Sequence, residues 1–225
     1  MHDGPVLICY NNNMHSNYTY QDIITLPNDH LRERSQRVDA LAPATQQIIA
    51  DMKAAALDWE ASRPHEVAVA LAAVQIDQMA RVIIIREDFD DKDNHNFTVL
   101  INPEIVKYEG KIEYDQEGCL SIKDIYGEVP RYTKVRVRAT DIHGNRVHVK
   151  SPNAFLARVL QHEIDHTNGI CFIDRIAQDE GAFSILMPNG DLKPIPYAEV
   201  QKMHILPTDP EYIRQCATLY SKKRA

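Results

Sequence analysis

The sequence predicts an α+β fold in which antiparallel β-sheets pack around one central helix, and three observations predict it. Two short runs rich in β-branched residues, Arg81 to Arg86 and Phe97 to Ile101, are bounded by polar or proline residues as buried strands are. Val135, Val137 and Ala139 alternate with Lys134, Arg136 and Arg138, and Val147 and Val149 resume the period of two after His143-Gly144-Asn145. That is a hairpin with one wet face. The third observation is a helix with sharply marked limits: Ser151 suits the N-cap, Pro152 the first position, and Asn168-Gly169 the left-handed stop, roughly four and a half turns in all.

The remaining elements follow from the same rules. From Pro43 to about Ser62, Ile48, Ile49, Met52, Ala55, Ala56 and Trp59 recur at helical spacing. Phe183 to Met187 and Leu192 to Ile195 flank the turn Pro188-Asn189-Gly190-Asp191, and Pro210 to Lys223 can form a last helix. Residues 1 to 20 are polar and aperiodic, a leader outside the core. No segment repeats.

Composition narrows the classes. A 44% hydrophobic and 25% charged chain of 225 residues folds, and no linker divides it. The net charge of −7 excludes a chain built as a whole to coat nucleic acid or an anionic membrane, and only Lys222, Lys223 and Arg224 gather a basic end. No apolar run is long enough to span a bilayer, and the first twenty residues lack the basic start and apolar middle of a secretory signal, so the expected location is the cytoplasm, with no membrane and no specific DNA as partner. Cys9, Cys119, Cys171 and Cys216 lie far apart, which argues against a disulfide framework and leaves thiols free for ligation.

The capped helix carries the chemistry. With Phe155 at zero on a helical wheel, Val159, His162 and His166 fall within about 60° of one another. Arg158, Gln161, Asp165 and Asn168 collect on the opposite side, where Asp165 is expected to be solvated or salt-bridged. Two imidazoles at i and i+4 on an inward face, roughly 6 Å apart along the axis, can hold one metal ion from the same side. Glu163, next to the first, can reach a water on that ion without being a ligand. The alternative is a pair of core histidines satisfied by backbone carbonyls, which the inward stripe disfavours because unpaired imidazoles in an apolar interior are costly.

A hydrolytic site needs a third ligand and an open position. Cys119, in Glu117-Gly118-Cys119-Leu120-Ser121, is the strongest candidate. Two rival readings stay open: a zinc peptidase with Glu180 or His204 as third ligand, and a non-catalytic closed site with Cys171 as a fourth.

Three segments together, Ala68-Val-Ala-Leu-Ala-Ala-Val-Gln75, Glu117-Gly-Cys-Leu-Ser121 and Gln161-His-Glu-Ile-Asp-His166, resemble the peptide deformylase family in motif, order and spacing. The likeness extends from about Ile23 to Ile176, which implies a leader at 1–20, a catalytic domain at 21–176 and a hairpin-and-helix extension at 177–225. It implies removal of the formyl group from N-formylmethionyl nascent peptides, with Cys119, His162 and His166 as ligands of one divalent metal ion. That ion would be Fe2+ in the cell, and Zn2+, Ni2+ or Co2+ would suit the same donors. It further implies Glu163 as general acid and base, Gln75 and the Leu120 N–H on the formyl oxygen, and a segment through Val69 and Ala70 alongside the bound peptide. Arg131 takes the place of an arginine that pairs with Glu117, Phe155 and Val159 are candidates for the methionine pocket, and the basic tail is a candidate contact for the ribosome. One departure is visible: the family usually opens the first motif with glycines where this chain has Ala68 and Ala70, and each added methyl is expected on a wall of the cleft.

Overall fold

The computed structural model describes residues 16–63 and 66–221. Most of the polar leader, Cys9 and the basic end Lys222 to Arg224 lie outside the described residues.

Helix α1, Pro43–Ala61, starts with proline in its first turn and buries Ile49, Met52, Ala55 and Ala56 against a cluster that includes Leu71, Val82, Ile84 and Ile101. Each large side chain removed from water there contributes roughly 1.5–3 kcal/mol before entropy is counted. The sheet it covers has, among the described residues, seven strands, all antiparallel to their neighbours: β1 (Ala70–Ala72), β2 (Val82–Arg86), β3 (Phe97–Cys119), β4 (Ile122–Thr140), β5 (Arg146–Lys150), β6 (Phe183–Leu186) and β7 (Leu192–Pro194). The spatial order is β1-β2-β3-β4-β6-β7, with β5 also on β4. The predicted α+β class is what forms, as one sheet.

β3 is far longer than the run Phe97 to Ile101 suggested. Beyond Ile101 the sequence keeps a period of two, Val106, Tyr108, Ile112 and Tyr114 alternating with Lys107, Glu109, Lys111, Glu113 and Asp115, yet those apolar side chains are exposed or half-buried, so the alternation marks no core face. The strand is held by its ladder with β4 and by cross-strand ion pairs, Glu104 with Arg138 at 2.8 Å and Glu109 with Arg136 at 2.7 Å. Four register shifts bend this ribbon as bulges do, and it curls over the next helix.

That helix, α2 (Ala154–Thr167), corrects the sequence reading at two points. Asn153 caps it, its side-chain oxygen accepting the Leu156 N–H at 2.8 Å, whereas the Ser151 hydroxyl accepts the Val135 N–H and so ties the chain to β4. The supposed polar face is not solvated. Arg158, Gln161 and Asp165 are buried, because the β3–β4 ribbon covers that side, and it is Phe155 that stands 44% exposed. Gln161 replaces a strand neighbour: its carbonyl accepts the Tyr132 N–H at 3.1 Å and its amide donates to the Tyr132 carbonyl at 2.8 Å. The predicted stop is present, with Gly169 at φ +74° and a Cβ there set to lie 2.5 Å from the Arg32 carbonyl.

After α3 (Phe172–Arg175), β6 and β7 extend the same sheet through β4, with Ile125 opposite Ile185, and α4 (Tyr197–Lys202) and α5 (Pro210–Ser221) follow. Helices α3 and α4 are too short to show a period in the sequence. No helix among the described residues is long and apolar enough to cross a membrane.

Candidate active site

Cys119 ends β3, Leu120 and Ser121 make the turn, and Ile122 opens β4 opposite Cys119. The preceding glycine is needed because the Tyr126 ring packs on it: a Cβ at Gly118 would lie 2.6 Å from that ring. The turn brings the Cys119 thiol to α2, where Sγ lies 3.3 Å from His166 Nε2. Cys119, His162 and His166 each offer a ligand atom within 4.8 Å of the others, close enough for one ion. Both histidines are buried, and Cys119 is half-buried.

Glu117, two residues before the thiol, organises the surroundings. Its Oε2 receives His162 Nδ1 at 2.9 Å, which leaves Nε2 as the nitrogen free to ligate an ion. Arg131 grips the same carboxylate with two bonds, 2.9 and 3.0 Å, and Arg158 adds a third at 2.7 Å. Burial alone would raise the Glu117 pKa, yet Arg131 and His162 hold it well below the usual range. Arg131 also pairs with Asp165, and Arg175 grips Asp165 at 2.5 and 3.0 Å. Asp165 is therefore salt-bridged, in the interior, and Arg175 and Cys171 arise just past the helix stop.

Glu163 lies on the same turn of α2. Burial pushes its carboxyl up to about 7, against the pull of His162, and one of its oxygens is buried without a hydrogen-bond partner. Burial works against a charge on His162, but Cys119 and Glu117 prevail and raise its pKa, while burial and the neighbouring His162 lower that of His166. Gln75, on a turn of 3-10 helix at Ala73–Ile76, accepts the Ala72 N–H on its oxygen at 2.9 Å. Its amide nitrogen is thereby turned toward Cys119 Sγ at 3.4 Å and Ser121 Oγ at 3.2 Å.

A cleft of about 600 Å3 opens over these groups, and Gln75, Cys119, Leu120, His162 and Glu163 line it. Val69 and Ala70 stand on its wall, and Phe155 and Val159 border it as well. Ala68 does not. It is fully buried beneath α1, its N–H bonded to Glu60, so only Ala70 of the two alanines adds a methyl to the cleft. The rival ligands lie elsewhere: Glu180 and His204 are exposed, and the Cys171 thiol faces the Leu31 carbonyl at 3.9 Å. Sequence reasoning missed Trp59, Arg63 and Tyr126 on the cleft and the roles of Arg158 and Arg175 beneath it. No local pattern marks these residues, because other strands and helices bring them in.

The residues fit a metal ion: a thiol, two imidazoles, one of them oriented by a carboxylate, and an unpartnered carboxylate oxygen beside them. On an antiparallel α+β frame, such a centre defines the class of metal-dependent hydrolases that carry His-Glu-x-x-His on a helix. The comparisons name the family. The family model described as "Polypeptide deformylase" matches residues 20–181. A peptide deformylase of Brachyspira hyodysenteriae is 38% identical over 158 residues, 69% of this chain and 80% of that protein. One of Thermomicrobium roseum is 40% identical over 157 residues, 68% of this chain and 84% of that protein. The crystal structure of a peptide deformylase from Legionella pneumophila covers 89% of this chain and 97% of its own, with a TM-score of 0.61 at 29% identity. The chain belongs to the polypeptide deformylase family.

Glu117→Gln should weaken metal affinity about 10- to 100-fold, since His162 loses its anionic partner, and lower stability by about 3–5 kcal/mol, since Arg131 and Arg158 lose theirs. Chelator competition followed with circular dichroism measures both, and unchanged affinity would show that other contacts orient His162.

Proposed function

We propose that this enzyme of protein biosynthesis hydrolyses the formyl group from the N-terminal methionine of newly made polypeptides, with Cys119, His162 and His166 holding one divalent metal ion. The carrying observation is the cluster of these three donors within 4.8 Å, two of which, Cys119 and His162, line the cleft together with Glu163 and Gln75. When bound, the ion would supply a Lewis acid that lowers the pKa of water and polarises a carbonyl. Glu163 takes the proton of the attacking water at its carboxylate and delivers it to the leaving amine. The Gln75 amide and the Leu120 N–H donate to the oxygen on which negative charge develops. What supports the Gln75 assignment is the Ala72 bond that fixes which end of the amide meets the cleft. The chain at Val69 and Ala70 lies beside the peptide, and Phe155 and Val159 offer apolar surface for the methionine side chain.

The ion is iron(II) in the cell, with zinc, nickel or cobalt able to replace it, because a thiolate and two imidazoles accept all four. The enzyme acts in the cytoplasm, where nascent chains emerge. The basic end Lys222 to Arg224 is a contact for ribosomal RNA. Removing everything after Leu219 should reduce salt-sensitive ribosome binding, and cosedimentation unaffected by that truncation would remove this contact.

Formate release from a formyl-Met peptide by protein loaded anaerobically with iron(II) tests the reading directly; no release would overturn it. Glu163→Ala should retain the metal and lose nearly all turnover, whereas Cys119→Ala should lower metal occupancy. Loss of metal in the Glu163 variant, or full occupancy and activity in the Cys119 variant, would reassign those roles.

Ala70 bears on selectivity, since its methyl sits on the cleft wall. Ala70→Gly should raise kcat/KM for bulkier peptides by roughly three- to thirtyfold, about 1–2 kcal/mol, at constant metal content. Unchanged kinetics would mean that the backbone accommodates the methyl without narrowing the cleft.

A further inference from the structure

A second cavity, of about 510 Å3, lies against the C-terminal end of α2 and shares no lining residue with the cleft. Its walls include Arg34, Arg37, Arg81, Ser35, Glu104 and Asn168. In a chain of net charge −7, three guanidinium groups around one cavity are a local exception that calls for a counter-charge.

The three arginines differ in what they already bind. Arg81 is buried and fixed, donating to the Pro103 carbonyl at 3.1 and 3.2 Å and to the Thr167 carbonyl at 3.1 Å. Burial and the charges of Arg34 and Arg37 lower its pKa, as expected where like charges converge. Arg34 and Arg37 are exposed, and among the described residues their side chains make no hydrogen bond or ion pair. Glu104, the one acid on the wall, is already held by Arg138 at 2.8 Å. The negative end of α2 is masked too, because the Thr167 carbonyl accepts both Arg81 and the Ser35 N–H.

The second, independent observation is Ser35. It is 5% exposed, it lines the cavity, and its hydroxyl is shut off from solvent with no hydrogen-bond partner. A buried hydroxyl without a partner is costly, and here it stands beside two uncommitted guanidinium forks.

We propose that this cavity binds a phosphate group, with Arg34 and Arg37 as forked donors, Ser35 as a hydroxyl donor and Arg81 as a fixed charge behind them. Guanidinium groups match the oxygen spacing of phosphate and bind it by paired, charge-assisted hydrogen bonds. The group is either free inorganic phosphate or a phosphodiester of a nucleic-acid strand, and the two are separable by titration.

Calorimetric titration of the full chain at low salt, in a buffer free of phosphate, tests the site with inorganic phosphate and with a short single-stranded RNA. Saturable phosphate binding is expected, weakened about tenfold by the Arg34→Gln/Arg37→Gln double variant and about threefold by Ser35→Ala. The serine variant separates a built site from diffuse surface attraction, which would not sense a buried hydroxyl; a parallel thermal melt checks that it folds. RNA that binds more tightly than phosphate and is displaced by it assigns the phosphodiester as source, and RNA weaker than phosphate assigns the free ion. Absence of saturable phosphate binding up to about 10 mM, or phosphate affinity unmoved in both variants, overturns the proposal.

Discussion

One buried carboxylate, Glu117, holds the structure together. Its two oxygens receive Arg131 from β4, Arg158 from α2 and the His162 ring, so strand, ribbon partner and helix meet at a single charge. Bringing such a charge out of water costs several kcal/mol, and only a full set of donors offsets it. The connection continues through Arg131 to Asp165, then to Arg175, which donates to the Cys216 carbonyl on α5. The last helix is thereby joined, by five polar links, to the ring that would face the ion.

Much of this was legible in the sequence, for reasons that vary by element. α2 announced itself because a helix stop and an i, i+4 histidine pair are local signals. The Glu117-to-Ser121 motif and Gln75 were legible through their resemblance to a family, not through any period. The long ribbon was legible from Val106 to Asp115, where apolar and charged residues alternate, but its apolar side faces no core, and the ladder with β4 is what carries the strand on to Cys119. The wheel of α2 misled for a related reason. The curled ribbon covers the side of the helix opposite Phe155, so Arg158, Gln161 and Asp165 turn from surface residues into its attachment points. Ala68 misled because it lies before β1, where the period of two breaks: Ala68 packs in the cluster of Leu71 and Ala73, Ala70 in that of Ala72 and Val74, although a regular strand would put Ala68 and Ala70 on one face.

The three donors that could hold a metal ion come from two kinds of support. His162 and His166 are fixed on a buried helix, and Cys119 comes from a tight turn closed by its own ladder pair. Gln75 reaches the same place from a third element, locked by its bond to Ala72. Such a site needs little rearrangement to receive a substrate, since backbone geometry has already oriented each group.

The uneven burial of the three donors has a chemical consequence. His166 is shielded by protein on every side, whereas Cys119 and His162 both line the cleft, and of these two the half-buried sulfur is the more open and the oxidisable one. Any small oxidant entering by the route the peptide takes meets that sulfur first, and the oxidised products of a thiol are poor replacements for a thiolate ligand. The entrance that admits substrate is therefore also the centre's point of chemical vulnerability, and a bound peptide, by filling it, acts as a shield.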